Sequence, residues 1–406
     1  SEKALFNRDP YTSMVGVKPY LPLSAHYPAS EHDNTIEPGT VIDLTGKLDE
    51  QGRLIWDVPE GEWTILRMVS RSTGAISRPA PLAGVGLESN KFDTTALNHH
   101  FEAYVGKLMD LMGTRNRKKI PLTGWNTLQF ESWEMSSQNW SKNFRDEFQK
   151  RRGYDLWNYL PVLSGRVVGS PELSERFLWD LRQTSQDLII AYHLEHLKEK
   201  AHQNGMELHI EPHDMNPTTD MVLASVGDVP MAEFWRNHFN SAFSCHQASS
   251  TGHIYDKSIV AAEAYTSFMT CWELYPYEMK NQGDWAFSTG INRFVYVRFT
   301  HQPWKDLKPG MAFGPHGIHW DRTQTFWPLL MDYHKYVSRC QYMLRQGDFV
   351  ADICYLLPEG APNVFVPPPS AFTGDKWTPD RRGYNFDACP PSALMEMAEV
   401  DDGKII

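Results

Sequence analysis

Four short apolar runs in this chain end on glutamate. They read LTGWNTLQFESWE, reaching Glu131 and Glu134, then GMELHIEP with Glu211, DVPMAEFW with Glu233, and SIVAAEAYTS with Glu263. A nearly continuous apolar run of this length predicts a strand buried on both faces, the usual strand of a parallel sheet. Such a strand has no packing reason to finish on a carboxylate. NRFVYVRFTHQPW predicts one more strand.

Elsewhere the pattern takes a helical period. LNHHFEAYVGKLMDLM puts Leu97, Phe101, Tyr104, Leu108 and Leu111 on one helical face before a glycine stop. NFRDEFQKRRGYD predicts a polar helix closed by Gly153. The segment LSERFLWDLRQTSQDLIIAYHLEHLKEKAHQNG predicts the longest helix, with Phe177, Leu181, Leu188 and Tyr192 on one side and Gly205 as its stop. TFWPLLMDYHKYVSRCQYMLRQG predicts a last helix ending at Gly347.

Strands alternating with helices predict the α/β class and a parallel sheet. Carboxylates at strand ends narrow this to a (β/α)8-type TIM barrel, whose C-terminal strand ends converge on one mouth. Residues 1–85 predict a flanking β-rich segment, the end of a preceding β domain, with DEQG and PEG as turns. The barrel is expected over 86–348. DFVADICYLLPEG then opens the start of a C-terminal α/β domain, truncated over 349–406.

Composition adds the ligand class. The 406 residues exceed the roughly 250 of a barrel. A net charge of −11, with no long basic run, argues against a nucleic-acid partner. Fourteen tryptophans, many beside polar residues (WELYPYE, HQPW, GIHWDR), suit the faces of sugar rings. Five scattered cysteines with no CxxC pair indicate neither a disulfide framework nor a zinc knuckle. No apolar run approaches the roughly 20 residues of a membrane span, and both a GxSxG elbow and glycine-rich nucleotide motifs are missing.

Acids converging on a cleft with aromatic rings fit glycoside hydrolysis, which needs a protonated carboxyl and an opposing carboxylate. Rim carboxylates held in salt bridges are the bland alternative. Glu134, beside Trp133, is the candidate general acid, because an aromatic wall raises a carboxyl pKa by desolvation. Glu263, after the small residues Ala261 and Ala262, is the candidate base, with Glu211 and Glu233 as competitors. Whichever of these does not act as base is free to bind hydroxyls or a hard cation such as calcium. Glu131, Trp133, His213, His301 and Trp304 are candidate substrate contacts. Histidines at 209, 213, 301, 316 and 319 lack a zinc-ligand spacing. Asp321 and Arg322 are expected to pair with each other or to brace the site.

Together these segments resemble the α-L-rhamnosidases of glycoside hydrolase family 106. The similar stretches run from DLTGKLDEQGRLIWDVPEGEWTILR through ESWEMSSQNWSKNFRDEFQKRRGYD, IEPHDMNPTTD, DVPMAEFW and VAAEAYTS to GDWAFSTGINRFVYVRFTHQPWKDLKPGMAFGPHGIHWDRT. The resemblance implies a β/α barrel that cleaves terminal α-linked L-rhamnose with inversion, assisted by calcium. It carries the acid to Glu134 and the base to Glu263, and leaves Glu211 and Glu233 as calcium or substrate ligands. Glu131 stands where the family often has Asp. A periplasmic or secreted enzyme is implied by the same resemblance. The competing readings are a non-catalytic carbohydrate-binding barrel and a retaining, β-galactosidase-like barrel glycosidase.

Overall fold

The computed structural model describes residues 35–406 apart from 73, 77–79, 120–123, 133–137, 213–217, 237–241, 270–271, 299, 312–313, 374–380, 382, 403 and 406. Its centre is a five-stranded sheet of β1 (Thr127–Phe130), β2 (Glu207–Ile210), β3 (Val229–Trp235), β4 (Ala261–Thr266) and β5 (Arg293–Tyr296). The strands lie side by side in chain order, all parallel. Parallel neighbours need a crossover, and helices supply it between successive strands. The crossover from β1 to β2 carries α1 (Phe144–Arg152), α2 (Pro171–Ile189) and α3 (Glu195–Gln203). Single helices α4 (Asp220–Val226), α5 (Ala242–Ile254) and α6 (Pro276–Ser288) make the other three, and α7 (Leu330–Met343) follows β5.

The expected barrel is met in part. Five strands with helical crossovers make half of one, and among the described residues no further strand joins this sheet. The chain after β5 turns back rather than extending. Ile318 donates to Val297 O, Arg298 to Ile318 O, and Gly317 to Ser267 O at 2.9 Å.

Side-chain alternation sorts the sheet into two faces. Leu128, Leu208, Ile210, Phe234, Ala262, Ala264 and Phe294 point toward the helices and join two buried apolar clusters. Val229, Met231 and Ala261 point the other way and pack with Val295 in a smaller group. On the helix side, Phe234, Tyr265 and Phe294 meet edge to face, and the fully buried Tyr265 shares a 2.7 Å hydroxyl hydrogen bond with Tyr333.

Two helical readings change for one reason. The segment that begins Thr94–Phe101 passes through a π turn at Glu102–Gly106, and the long helix does so at Ile190–Leu194, between α2 and α3. A π turn inserts a residue and rotates everything after it. Leu97 and Phe101 are therefore buried as expected, but Tyr104 and Leu111 are exposed and Gly106 and Met109 take the inside. In the long helix Phe177, Leu181 and Leu188 are buried, and His193 and Leu194 replace Tyr192 as the innermost side chains.

The antiparallel strands expected before residue 85 reduce to single bridges, Leu48 with Leu54 and Ile76 with Leu87. DEQG is a turn, closed by Asp49, whose carboxylate accepts from the backbone of Gln51 and Arg53. The apolar positions beyond it (Ile55, Val58, Ile65, Val69) are exposed, so no described surface rewards pairing them. Beyond the sheet, β6 (Ile353–Leu356) and β7 (Phe386–Cys389) pair in parallel. They dock on α5 through Ala388 N to Ser250 Oγ and a 2.8 Å His253–Asp387 contact.

Gly283, in α6, tests this packing. A methyl there would meet Tyr265 Oη at 2.4 Å and Phe294 at 3.3 Å. Gly→Ala in an open helix stabilises by roughly 1 kcal/mol; here Gly283→Ala is expected to destabilise by about 1–3 kcal/mol through overpacking. Urea unfolding reads the sign, and a more stable variant would refute this packing.

Candidate active site

The four glutamates come from four consecutive strands. Glu131 follows the last residue of β1 and Glu211 the last of β2, where its N–H donates to Phe130 O at 3.0 Å. Glu233 in β3 and Glu263 in β4 are direct register partners. Partners in a parallel ladder project to the same face, so both side chains leave the sheet on the side opposite the helices. That face is layered. Glu207, His209 and Arg293 form its polar base, with Arg293 Nη1 3.3 Å from His209 Nε2. Met231, Ala261 and Val295 add an apolar patch, and the glutamates form the C-terminal rim, where barrel enzymes place their chemistry.

Carboxylate oxygens of Glu131, Glu211 and Glu263 all lie within 4.8 Å of one another. Burial differs along the row: Glu131 is exposed, Glu263 half-buried, and Glu211 only 2% exposed. Gln129 donates to Glu131 Oε2 at 3.0 Å and Thr266 Oγ1 to Glu263 Oε1 at 3.1 Å. Glu233 is also buried, its N–H donating to Ser244 Oγ. Like charges this close in a desolvated site cannot all stay ionised. Desolvation first, then the charges of Glu263, Glu233 and Glu131, drive the Glu211 carboxyl well above its usual range. Glu263 is pushed up to about 9, by desolvation, by the charge of Glu233 and by a hydrogen bond with Glu131.

The arrangement can hold shared protons or one hard cation. Three oxygens no more than 4.8 Å apart share a centre within about 2.8 Å of each, so a small inward movement lets one ion with bonds of about 2.4 Å touch all three carboxylates. Glu211 Oε2 is buried and, by hydrogen-bond geometry, has no partner among the described residues, which leaves a lone pair for such an ion. The tight trio includes Glu131 and Glu263 with Glu211. Glu233, read from the sequence as a metal ligand beside Glu211, stands alongside on β3.

Of the other candidates, Glu134, Trp133 and His213 lie outside the described residues. His301 and Trp304 sit on the exposed segment after β5, with no described hydrogen bond to the glutamates. Asp321 does not pair with Arg322. It is buried, accepts from Thr323 N at 2.7 Å and Gln302 Nε2 at 3.0 Å, and lies 3.4 Å from His319. Arg322 instead donates to Gln302 O. The His319 ring is stacked by Trp272 at 3.6 Å, a pairing the sequence signalled only as aromatic excess. Thr266 and Gln129 were also missed. Gln129, two residues before Glu131, shares its face by strand alternation, a signal the sequence offered; Thr266, three after Glu263, follows the positive φ of Tyr265, which strand geometry does not flag.

Comparison with known proteins places this geometry. A family model described as alpha-L-rhamnosidase, glycoside hydrolase family 106, matches residues 9–406. A solved rhamnosidase from Novosphingobium sp. PP1Y is similar at a TM-score of 0.78 and 29% identity, over 98% of this chain and 38% of that one. A protein of Formosa agariphila carrying a provisional beta-glucuronidase name is 36% identical over 374 residues, 91% of this chain and 30% of its own. The chain thus spans about a third of the length of these relatives.

A carboxyl whose folded pKa is raised contributes stability below its unfolded pKa, and that contribution is lost as pH rises toward the folded value. In chelator, the wild-type melting temperature should therefore fall between about pH 4.5 and pH 9, the window set by Glu263. Glu211→Gln, which removes the most buried titrating carboxyl, should flatten the fall and raise the pH 8 melting temperature by roughly 2 °C or more. A variant that melts lower than wild type at every pH would overturn this account.

Proposed function

Because the chain belongs to glycoside hydrolase family 106, the alpha-L-rhamnosidases, we propose that it removes terminal α-L-rhamnose from oligosaccharide or polysaccharide substrates with inversion. The observation that carries the reading is the row of carboxyls within 4.8 Å at the rim of a parallel half-barrel. Glu263 is the general base: it takes a proton from a water whose oxygen attacks the anomeric carbon. Glu134 is the general acid, giving its proton to the departing glycosidic oxygen; this role rests on the SWE motif alone. Rhamnose and the free alcohol of the leaving group are the products. The half-barrel is read as the catalytic half of a (β/α)8 barrel spanning 86–348, in an exported enzyme.

A base must be ionised at the working pH, and the crowding of Glu263 opposes that. Calcium is the proposed remedy, held by Glu131, Glu211 and Glu263 with Glu233 nearby. Bound there, it would offset the mutual repulsion of the carboxylates and favour their ionised forms. The protein's own share is to fix the rim: Thr266 orients Glu263 and Gln129 orients Glu131. The relative with a glucuronidase name raises a second sugar. The aryl glucuronide set against the aryl rhamnoside separates a uronate from the neutral 6-deoxy sugar.

Hydrolysis of para-nitrophenyl α-L-rhamnoside and of rhamnosylated oligosaccharides, with calcium and with EDTA, tests the reading. Rhamnose release that EDTA suppresses is expected, with no release from the aryl glucuronide. Glu263→Gln should lower kcat/KM by about 10²–10⁴-fold on both rhamnosides. Glu134→Gln should cost less on the aryl rhamnoside, whose leaving group needs little protonation, than on the oligosaccharide. Near-normal turnover in both variants would sink these assignments, and rhamnoside binding without hydrolysis by the wild type would leave a binding barrel. A first-formed anomer of retained configuration by NMR would instead indicate a retaining enzyme.

A further inference from the structure

A cavity of about 1710 Å³ lies between the segment 35–72 and the edge of the sheet at β1. Ligand pockets usually hold about 300–1,000 Å³, so several sugar units fit. Glu131, Gln129 and Ser132 line one end, which makes it continuous with the carboxylate rim; among the described residues Glu211 and Glu263 do not line it. Trp140 and Trp157 line its wall, packed against each other and, at Trp157, under the Arg145 guanidinium.

His193 also lines this space. It is 4% exposed, and its Nδ1 has no hydrogen-bond partner among the described residues. Burial, reinforced by the charges of Lys91, His100 and His196, holds the ring neutral; Nδ1 is itself closed from the surface, so it meets a hydroxyl when the ring turns toward the cavity. A buried polar atom left unpaired costs stability. Its position is set by the π turn Ile190–Leu194, without which the helical phase would keep Tyr192 on the inner side. The second π turn, Glu102–Gly106, borders the same cavity through Tyr104 and Val105. The two helices are tied by a 2.9 Å contact of His196 Nε2 with Asn98 Oδ1. π turns are rare and concentrate at functional sites, and here both frame one space.

We propose that this cavity is a saccharide subsite for the leaving-group side of the substrate, in which His193 Nδ1 hydrogen-bonds a sugar hydroxyl and so reads the chain to which rhamnose is attached. The assignment of the occupant rests on the rhamnosidase reading above; the cavity and its unpaired imidazole do not. Glu131 stands at the junction, touching the carboxylate rim on one side and the cavity on the other.

The test pairs a titration with kinetics. The wild-type chain is titrated with the oligosaccharide left after rhamnose removal, following the ring nitrogens of His193 by ¹⁵N NMR. Movement of the Nδ1 resonance is expected, and a resonance that stays fixed at saturating saccharide overturns the proposal. In parallel, His193→Ala should raise KM for a rhamnosylated oligosaccharide about tenfold more than KM for para-nitrophenyl α-L-rhamnoside, the size of one lost hydrogen bond. His193→Gln should recover part of the difference. Equal losses on both substrates would mark a structural role and sink the idea. If the chain cleaves neither rhamnoside, the proposed activity fails, and the titration alone then decides whether the cavity binds saccharide.

Discussion

Repulsion among four carboxylates held on one face of a parallel sheet is the constraint around which the centre of this protein is built. Parallel pairing aligns Glu233 with Glu263 residue for residue, and it brings Glu131 and Glu211 to the ends of the two strands before them. The register cannot relax this crowding. A one-residue slip would turn every side chain of a strand to the opposite face, driving Phe234 or Ala262 out of the core and a glutamate into it. The apolar face therefore enforces the arrangement of the charged one.

That enforcement needs a strong core. The edge-to-face group of Phe234, Tyr265 and Phe294, with Gly283 leaving room for the tyrosine hydroxyl, lies directly behind the glutamates of β3 and β4. Crowded carboxyls cost stability when ionised, and aromatic burial of this kind supplies several kcal/mol to offset it. Tyr265 itself has a positive φ of 65°, a strained conformation for a large side chain. It sits two residues after Glu263, where strain that aims a nearby carboxylate is tolerated because the surrounding packing determines it.

The strands carrying the glutamates were legible in the sequence because a buried parallel strand is a near-continuous apolar run, and a terminal acid breaks that pattern visibly. The helix phases were not. Nothing in AYVGK or IIAYHL distinguishes a π turn from an α turn, since the extra residue is set by what the helix packs against; the burial of His193 in place of Tyr192 is the result. The antiparallel strands expected before residue 85 show only as single bridges among the described residues. Alternating apolar residues form a strand where something covers one face, and no described residue covers Ile55, Val58, Ile65 or Val69. The pairing of Asp321 with Thr323 and Gln302 rather than Arg322 follows from the loop's path after β5, which local sequence does not encode.

The charge of the rim also divides the labour of specificity. Four acids attract a cation and, when ionised without one, repel an anion, so the rim selects by ligand charge and reads little else of a ligand. Carboxylates accept hydrogen bonds from any sugar hydroxyl, and their mutual coupling makes them poor discriminators. Discrimination between attached chains needs neutral, fixed groups with unmet hydrogen-bonding capacity, because a ligand lacking the matching hydroxyl then leaves a buried polar atom unpaired. Glu211 Oε2 and His193 Nδ1 are both such atoms. One lies in the crowded rim, where a cation or a proton satisfies it. The other lies across the β1 edge, in a wall that also carries Glu88, Lys91 and Arg166, where the proposed ligand would meet it.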